Sequence, residues 1–138
     1  MINSLHDTNF HNWLSEQTEL LRSKEFDRLD MENIIEELES LGASEERALE
    51  SYFIVLLMHK LKVEYQKEKH SRSWDLSIKN STLKINRLIR KNPGLKSKLN
   101  DIFNDAYESA RLEAAIETGL DEDIFPETCL WQYENFLN

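Results

Sequence analysis

The stretch Tyr52-Phe53-Ile54-Val55-Leu56-Leu57-Met58 places seven apolar residues in an unbroken row. Apolar residues continue on both sides of it at spacings of three and four, which is typical of an α-helix and argues against a strand. On a helical wheel they cover most of the circumference, and a helix that is apolar on most sides is buried on most sides. The sequence therefore predicts a buried central helix over residues 44–66, on which the other helices pack.

The central segment does not have the pattern of a membrane span. A bilayer crossing needs about 20 predominantly apolar residues in succession. Here the charged residues Lys60, Lys62 and Glu64 follow the apolar row at once. We therefore expect no membrane among the partners of this protein.

Capping and turn residues divide the rest of the chain into further helices. Asp30 is a suitable N-cap, and Gly42 is expected to end the helix that Asp30 begins, so that Ser44 caps the central helix. Asn92-Pro93-Gly94 interrupts the helical pattern again. The predicted helices cover residues 8–21, 30–41, 44–66, 74–91 and 95–118, with a short closing helix over 130–137.

Composition favours a fold built only from helices. Three Gly and two Pro in 138 residues encode few turns, and no run of alternating β-branched residues is present. We predict an all-α, compact helical bundle of about five helices, forming a single domain over residues 1–138. Cys129 is the one cysteine and cannot form a disulfide within the chain, and no apolar signal stretch opens the sequence. Both features favour a cytoplasmic protein.

The predicted helix over 30–41 has an apolar side and an acidic side. Ile34, Ile35, Leu38 and Leu41 share the apolar side, which we expect to face the interior. The acidic residues on the far side are Glu32, Glu36 and Glu39. Glu37 lies near the boundary, so it is the one glutamate of this helix expected to reach the interior.

Two polar residues occupy positions that the wheels place on buried sides. His59 lies within an apolar stripe of the central helix, and Glu117 continues the apolar line of the helix over 95–118. A carboxylate near a helix C-terminus and away from water needs a partner. We expect a hydrogen-bonded His59–Glu117 pair inside the bundle, which would fix how the helices align.

A metal site is the functional alternative for these polar residues. Its candidate ligands are His59, Glu117, Glu113 and Glu37. Carboxylate-bridged metal bundles carry Glu-x-x-His on two of their helices, whereas Leu56 stands three residues before His59. No Gly-rich phosphate loop and no Cys-x-x-Cys is present. We therefore expect no cofactor and lean against an enzyme.

Charge changes sign along the chain. Residues 1–59 carry a net charge of −9, residues 60–98 of +9 and residues 99–138 of −9. One interpretation is that acidic and basic helices lie side by side and reduce each other's repulsion. The other is that the basic part of the chain binds nucleic acid. The candidate residues for that role lie on one side of the predicted fourth helix: Lys79, Lys84, Arg87, Arg90 and Lys91.

Several segments carry a likeness to a known family. They include residues 29–42, residues 56–62, Glu117-Thr118-Gly119-Leu120 and Phe125-Pro126-Glu127-Thr128-Cys129. Through them the chain resembles the Domain of Unknown Function 29 family, a bacterial and uncharacterised family of small all-helical proteins. The likeness covers nearly the whole chain and departs from the family pattern at Leu130, where proline is usual. The resemblance implies an all-helical fold and includes Glu36, Glu37, His59 and Glu117 in its pattern, but it implies no activity.

The sequence thus favours a soluble, non-enzymatic protein-interaction bundle. Its partner is expected to be another protein or a second copy of the chain, docking on the acidic side of residues 30–41 or on the basic side of residues 79–91. Nucleic-acid binding by the basic side and a metal-dependent enzyme with a His/Glu site are the alternatives.

Overall fold

The structure is a computed structural model that describes residues 4–138. These residues form five α-helices and no strand, which confirms the all-α prediction. The helices are α1 (Leu5–Thr8), α2 (Phe10–Arg22), α3 (Met31–Tyr65), α4 (Arg72–Lys91) and α5 (Leu99–Thr118). Asn9 alone separates α1 from α2, and short 3₁₀ turns connect the later helices, the longest being Pro93–Lys98 directly before α5.

Helix α3 is one continuous helix of 35 residues, so the predicted break at Gly42 is wrong. Gly42 is helical, whereas Gly119 has a φ of 73° and ends α5 in the left-handed conformation. A glycine inside a helix costs only about 1 kcal/mol relative to alanine. The residues on both sides of Gly42 favour the helix strongly enough that it continues through both Gly42 and Ser44.

The chain divides into two compact units, one ending at Ala43 and the other spanning Ser44–Asn138. The single domain over residues 1–138 stays a prediction. In the first unit, α1, α2 and the first turns of α3 form a helical hairpin. The indole Nε1 of Trp13 donates to Asp30 at 2.9 Å, and the backbone N–H of Asp30 donates to the buried Gln17 at 2.8 Å. Since His6 meets Glu37 further along α3, α2 and α3 run in opposite directions.

The second unit contains the main core, and the segment predicted as the centre supplies its middle. Phe53, Leu56 and Leu57 are fully buried there, as predicted. The ring of Phe53 meets that of Phe103 on α5 edge to face, with ring centroids 5.2 Å apart. The small side chains on α5 are also fully buried, at Ala106, Ala110 and Ala114. Helix α4 contributes Ile85 and Ile89.

The last nineteen residues pack on the core through backbone carbonyls that accept side-chain hydrogen bonds. Tyr107 donates its hydroxyl proton to the carbonyl of Pro126, and Arg111 donates to the carbonyl of Phe125 at 3.0 Å. Asn86 donates to the carbonyl of Phe136 at 2.9 Å. The closing helix predicted over 130–137 is a single 3₁₀ turn at Tyr133–Phe136.

Candidate functional site

The expected interior pair of His59 and Glu117 is wrong. Glu117 lies in the last turn of α5, beyond the last buried residue Ala114, and half of its side chain is exposed. His59 lies at the edge of the buried arc of α3, where its Nδ1 donates to the carbonyl of Val55 at 2.8 Å. Both residues lie near the buried sides of their helices, but His59 is only partly buried and Glu117 is exposed.

The other two metal candidates also lie elsewhere. Glu113 is exposed on α5 and borders, with Glu117, a shallow surface cleft of about 320 Å³. Glu37 belongs to the hairpin, where its carboxylate accepts from His6 at 2.7 Å. Within residues 4–138, no three His, Cys, Asp or Glu side chains are grouped so that they could hold a metal ion.

His6 is a polar residue of the hairpin that the sequence reasoning missed. Its two ring nitrogens lie 2.7 Å from Glu37 and 2.9 Å from Asp7, and only 11% of the side chain is exposed. The rings of Phe10 and Trp13 each pack edge to face with the imidazole of His6, with ring centroids 5.3 and 4.6 Å from it. The hydrogen bond to Glu37, and then that to Asp7, raises the pKa of His6. No spacing in the sequence indicates this contact between residues so far apart.

Lys62 was also missed. Its side chain is 11% exposed, and its Nζ lies 4.6 Å from the ring centroid of Trp74 and 3.8 Å from the carboxylate of Glu117. A cation over an indole face is favourable, more so when water is excluded. Lys62 therefore links α3 to α4 and α5, which is a structural role.

The hairpin exposes much of its apolar surface. Ile35, Leu38 and Leu41, all predicted to face inward, are 49%, 63% and 66% exposed, so that prediction is wrong for these three residues. They share one side of α3 with the exposed Met31. The exposed apolar residues of α2 are Phe10, Leu14 and Leu21. We call these seven residues the hairpin face.

The two halves of the hairpin face lie together. At about 100° per residue, the exposed residues of α2 adjoin the arc of Trp13 and Gln17, which faces α3. On α3, Leu41 lies about 40° around the helix from Glu37, whose carboxylate meets His6. Leu38 and Met31 lie further round in the same direction, and Ile35 points mostly away from α2. Because the two helices run in opposite directions, both exposed stripes fall on the same side of the hairpin.

Acidic residues border the hairpin face along α3. Glu32 and Glu39 are exposed and lie within about 60° of Ile35 around the helix, and the exposed Glu36 lies about 100° from it. Residues 4–43 as a whole carry ten acidic and three basic side chains. An apolar stripe with this border presents both an area to bury and a strong negative potential.

A second candidate surface lies on α4. All five basic candidates on this helix are exposed, and they fall within about 140° of its circumference, opposite Ile85 and Ile89. None of them is within ion-pair distance of an acidic group in the part of the chain that the structure describes. Leu76 and Leu83 are exposed on the same side, together with Arg72. We call this set the α4 face.

Comparison of the sequence with known protein families identifies one family that matches it. The model of the family described as Domain of unknown function DUF29 matches residues 5–138. The chain belongs to the DUF29 family. No curated protein and no solved structure matches this DUF29 chain. The family confirms the resemblance read from the sequence and supplies no activity. Among the described helices of this DUF29 protein, none combines the length and apolarity that a bilayer crossing requires.

Proposed function

We propose that this protein is a non-enzymatic interaction module, and that its hairpin face binds a basic amphipathic helix of a protein partner. The exposed stripe of Met31, Ile35, Leu38 and Leu41 carries the proposal. Nine of the sixteen large apolar side chains that are exposed among the described residues precede Ser44. Exposed apolar groups collected in one patch are typical of a protein-binding surface.

Charge sets the class of partner. The glutamates that border the stripe attract a partner with Lys or Arg beside its apolar anchors and repel an acidic one. The groove of a helical hairpin has the shape that accepts a third helix, with anchors at spacings of three, four and seven residues. A basic amphipathic helix meets both requirements.

A peptide titration tests this function. The probe is a synthetic helix of leucine and lysine, about 18 residues and five turns long, and calorimetry gives its Kd. Full burial of a leucine contributes about 1.5–3 kcal/mol, and Leu38 is 63% exposed. We therefore expect Leu38→Ser to lose about 1–2 kcal/mol of binding energy, a roughly 5- to 30-fold weaker Kd.

The matched control is Leu130→Ser, since Leu130 is exposed to a similar extent but lies in the C-terminal tail. This variant should bind the peptide as the unmodified protein does. Chemical shifts of the Ile35 and Leu38 methyl groups should move on titration. Equal binding by Leu38→Ser and the unmodified protein, or shifts confined to other helices, would refute the proposed site.

Nucleic-acid binding through the α4 face is the second candidate function. Its support is the exposed arc of Lys79, Lys84, Arg87, Arg90 and Lys91 without acidic partners in the described residues. Phosphate contacts would make the affinity fall steeply with salt. Retention on a DNA column at low salt, lost in a Lys79→Glu, Arg87→Glu, Arg90→Glu variant, is the expected result. A protein that flows through the column at low salt would end this candidate.

A further inference from the structure

The α4 face has the features of the partner that the hairpin face requires. Helix α4 carries six basic side chains against one acidic side chain, Asp75. In the middle of its basic side stand two exposed leucines, Leu76 and Leu83. Phosphate groups would pair with the basic side chains alone, whereas an acidic and apolar protein surface would pair with them and also bury the two leucines.

We propose that the helix which binds the hairpin face is α4 of a second copy of this chain. This inference rests on the proposed function and names its partner. The contact joins unlike surfaces, the hairpin face of one copy and the α4 face of the next. Contacts of this type close into a dimer or ring, or continue along a filament.

Residue spacing on the three helices agrees with such a contact. Each helix has two exposed apolar residues seven positions apart: Leu14 and Leu21 on α2, Met31 and Leu38 on α3, and Leu76 and Leu83 on α4. Seven residues are two turns, about 10.5 Å. A copy of α4 lying along the hairpin can therefore set both of its leucines beside apolar residues of both hairpin helices at once.

Charge makes this arrangement better than a contact between two hairpin faces. Two hairpin faces would bring Glu32 and Glu39 of both copies to one interface, on units that are both strongly acidic. Like charges at an interface oppose association. Against the α4 face, the same glutamates meet Lys79, Arg87 and their neighbours, and the repulsion becomes attraction.

A pair of charge-reversed variants tests the arrangement. The first carries Glu32→Lys, Glu36→Lys and Glu39→Lys, and the second carries Lys79→Glu, Arg87→Glu and Arg90→Glu. All six positions are exposed, so circular dichroism should show unchanged folds. Sedimentation should give the unmodified protein a mass of at least twice the 16.4 kDa of one chain. Each variant alone should associate at least ten times more weakly, and an equal mixture of the two should recover association.

Weak association of the second variant alone, with recovery in the mixture, is the decisive result, because only a contact between the hairpin face and the α4 face requires both. If the second variant alone associates as strongly as the unmodified protein, the contact does not use the α4 face and the proposal is wrong. If the unmodified protein is a monomer and binds the leucine–lysine peptide at the hairpin face, the proposed function stands and this inference falls. If it binds neither, both fall.

Cross-linking provides a measurement that needs no variant. A carbodiimide joins carboxylates to lysines in contact, and a mixture of copies with natural and heavy nitrogen distinguishes links between copies from links within one. We expect mixed-isotope links from Glu32 or Glu39 to Lys79 or Lys84. Links between copies that leave out the α4 lysines would overturn the proposal.

Discussion

Replacing Gly42 by alanine tests the continuity of α3. In the structure Gly42 is helical and exposed, and a Cβ built on it has no heavy atom within 4 Å. Alanine then meets no clash, and it removes the extra backbone freedom that glycine has in the unfolded chain. We expect Gly42→Ala to raise the free energy of unfolding by about 0.5–1 kcal/mol and the Tm by about 2–4 °C.

Urea unfolding followed by far-UV circular dichroism measures this change. The matched control is Gly119→Ala, because Gly119 has a φ of 73° and also has open space around it. Alanine in the left-handed conformation is strained, so the free energy of unfolding of that variant should fall by about 1–2 kcal/mol. If helix α3 ended at Gly42, as the sequence suggests, both variants would be destabilised. A destabilised Gly42→Ala would refute the continuous helix.

Two further predictions concern polar groups that the folded chain holds in place. Hydrogen bonds to Glu37 and Asp7 raise the pKa of His6 in the folded protein above its unfolded value near 6.5. These hydrogen bonds therefore contribute fully to the free energy of unfolding below about pH 6.5, and the contribution is lost as the pH rises through the folded-state pKa. Unfolding of His6→Gln should lack the pH dependence that the unmodified protein shows above about 6.5, and an identical pH profile would refute the ion pairs. Burial raises the pKa of Tyr107 to about 12, and its hydroxyl donates a hydrogen bond to the carbonyl of Pro126. Tyr107→Phe leaves that carbonyl without its partner and should cost about 1–2 kcal/mol in urea unfolding, whereas an unchanged midpoint would show that water replaces the hydroxyl.

The core could be predicted because its signal is local. The apolar row around Leu56 and the alanines of α5 repeat at the period of a helix, and periodicity identifies the side that is buried. The predicted end of the helix over 95–118 is correct for the same reason, since the apolar pattern stops there and Gly119 follows. The family resemblance agreed with these elements over nearly the whole chain.

The exposed stripe could not be predicted, because a helical wheel shows which residues share a side but not whether another helix covers that side. Leu38 and Leu41 have the same pattern as a buried stripe. Glu117 and His59 were placed inside for the same reason. His6 and Lys62 depend on neighbours distant in the chain, and no local rule indicates them.

Gly42 also matters as the junction between the two compact units, where α3 passes from one to the other. At this junction the helix contains Gly42, which has poor helix propensity. Ser44, Glu45 and Glu46 follow shortly after it and together make a good helix start. If the hairpin melts first, the helix that remains has a cap ready at Ser44, and fraying should stop there. A protease that cuts near Ala43 would then release a stable fragment that begins at Ser44, where this residue would serve as the N-cap of the shortened helix.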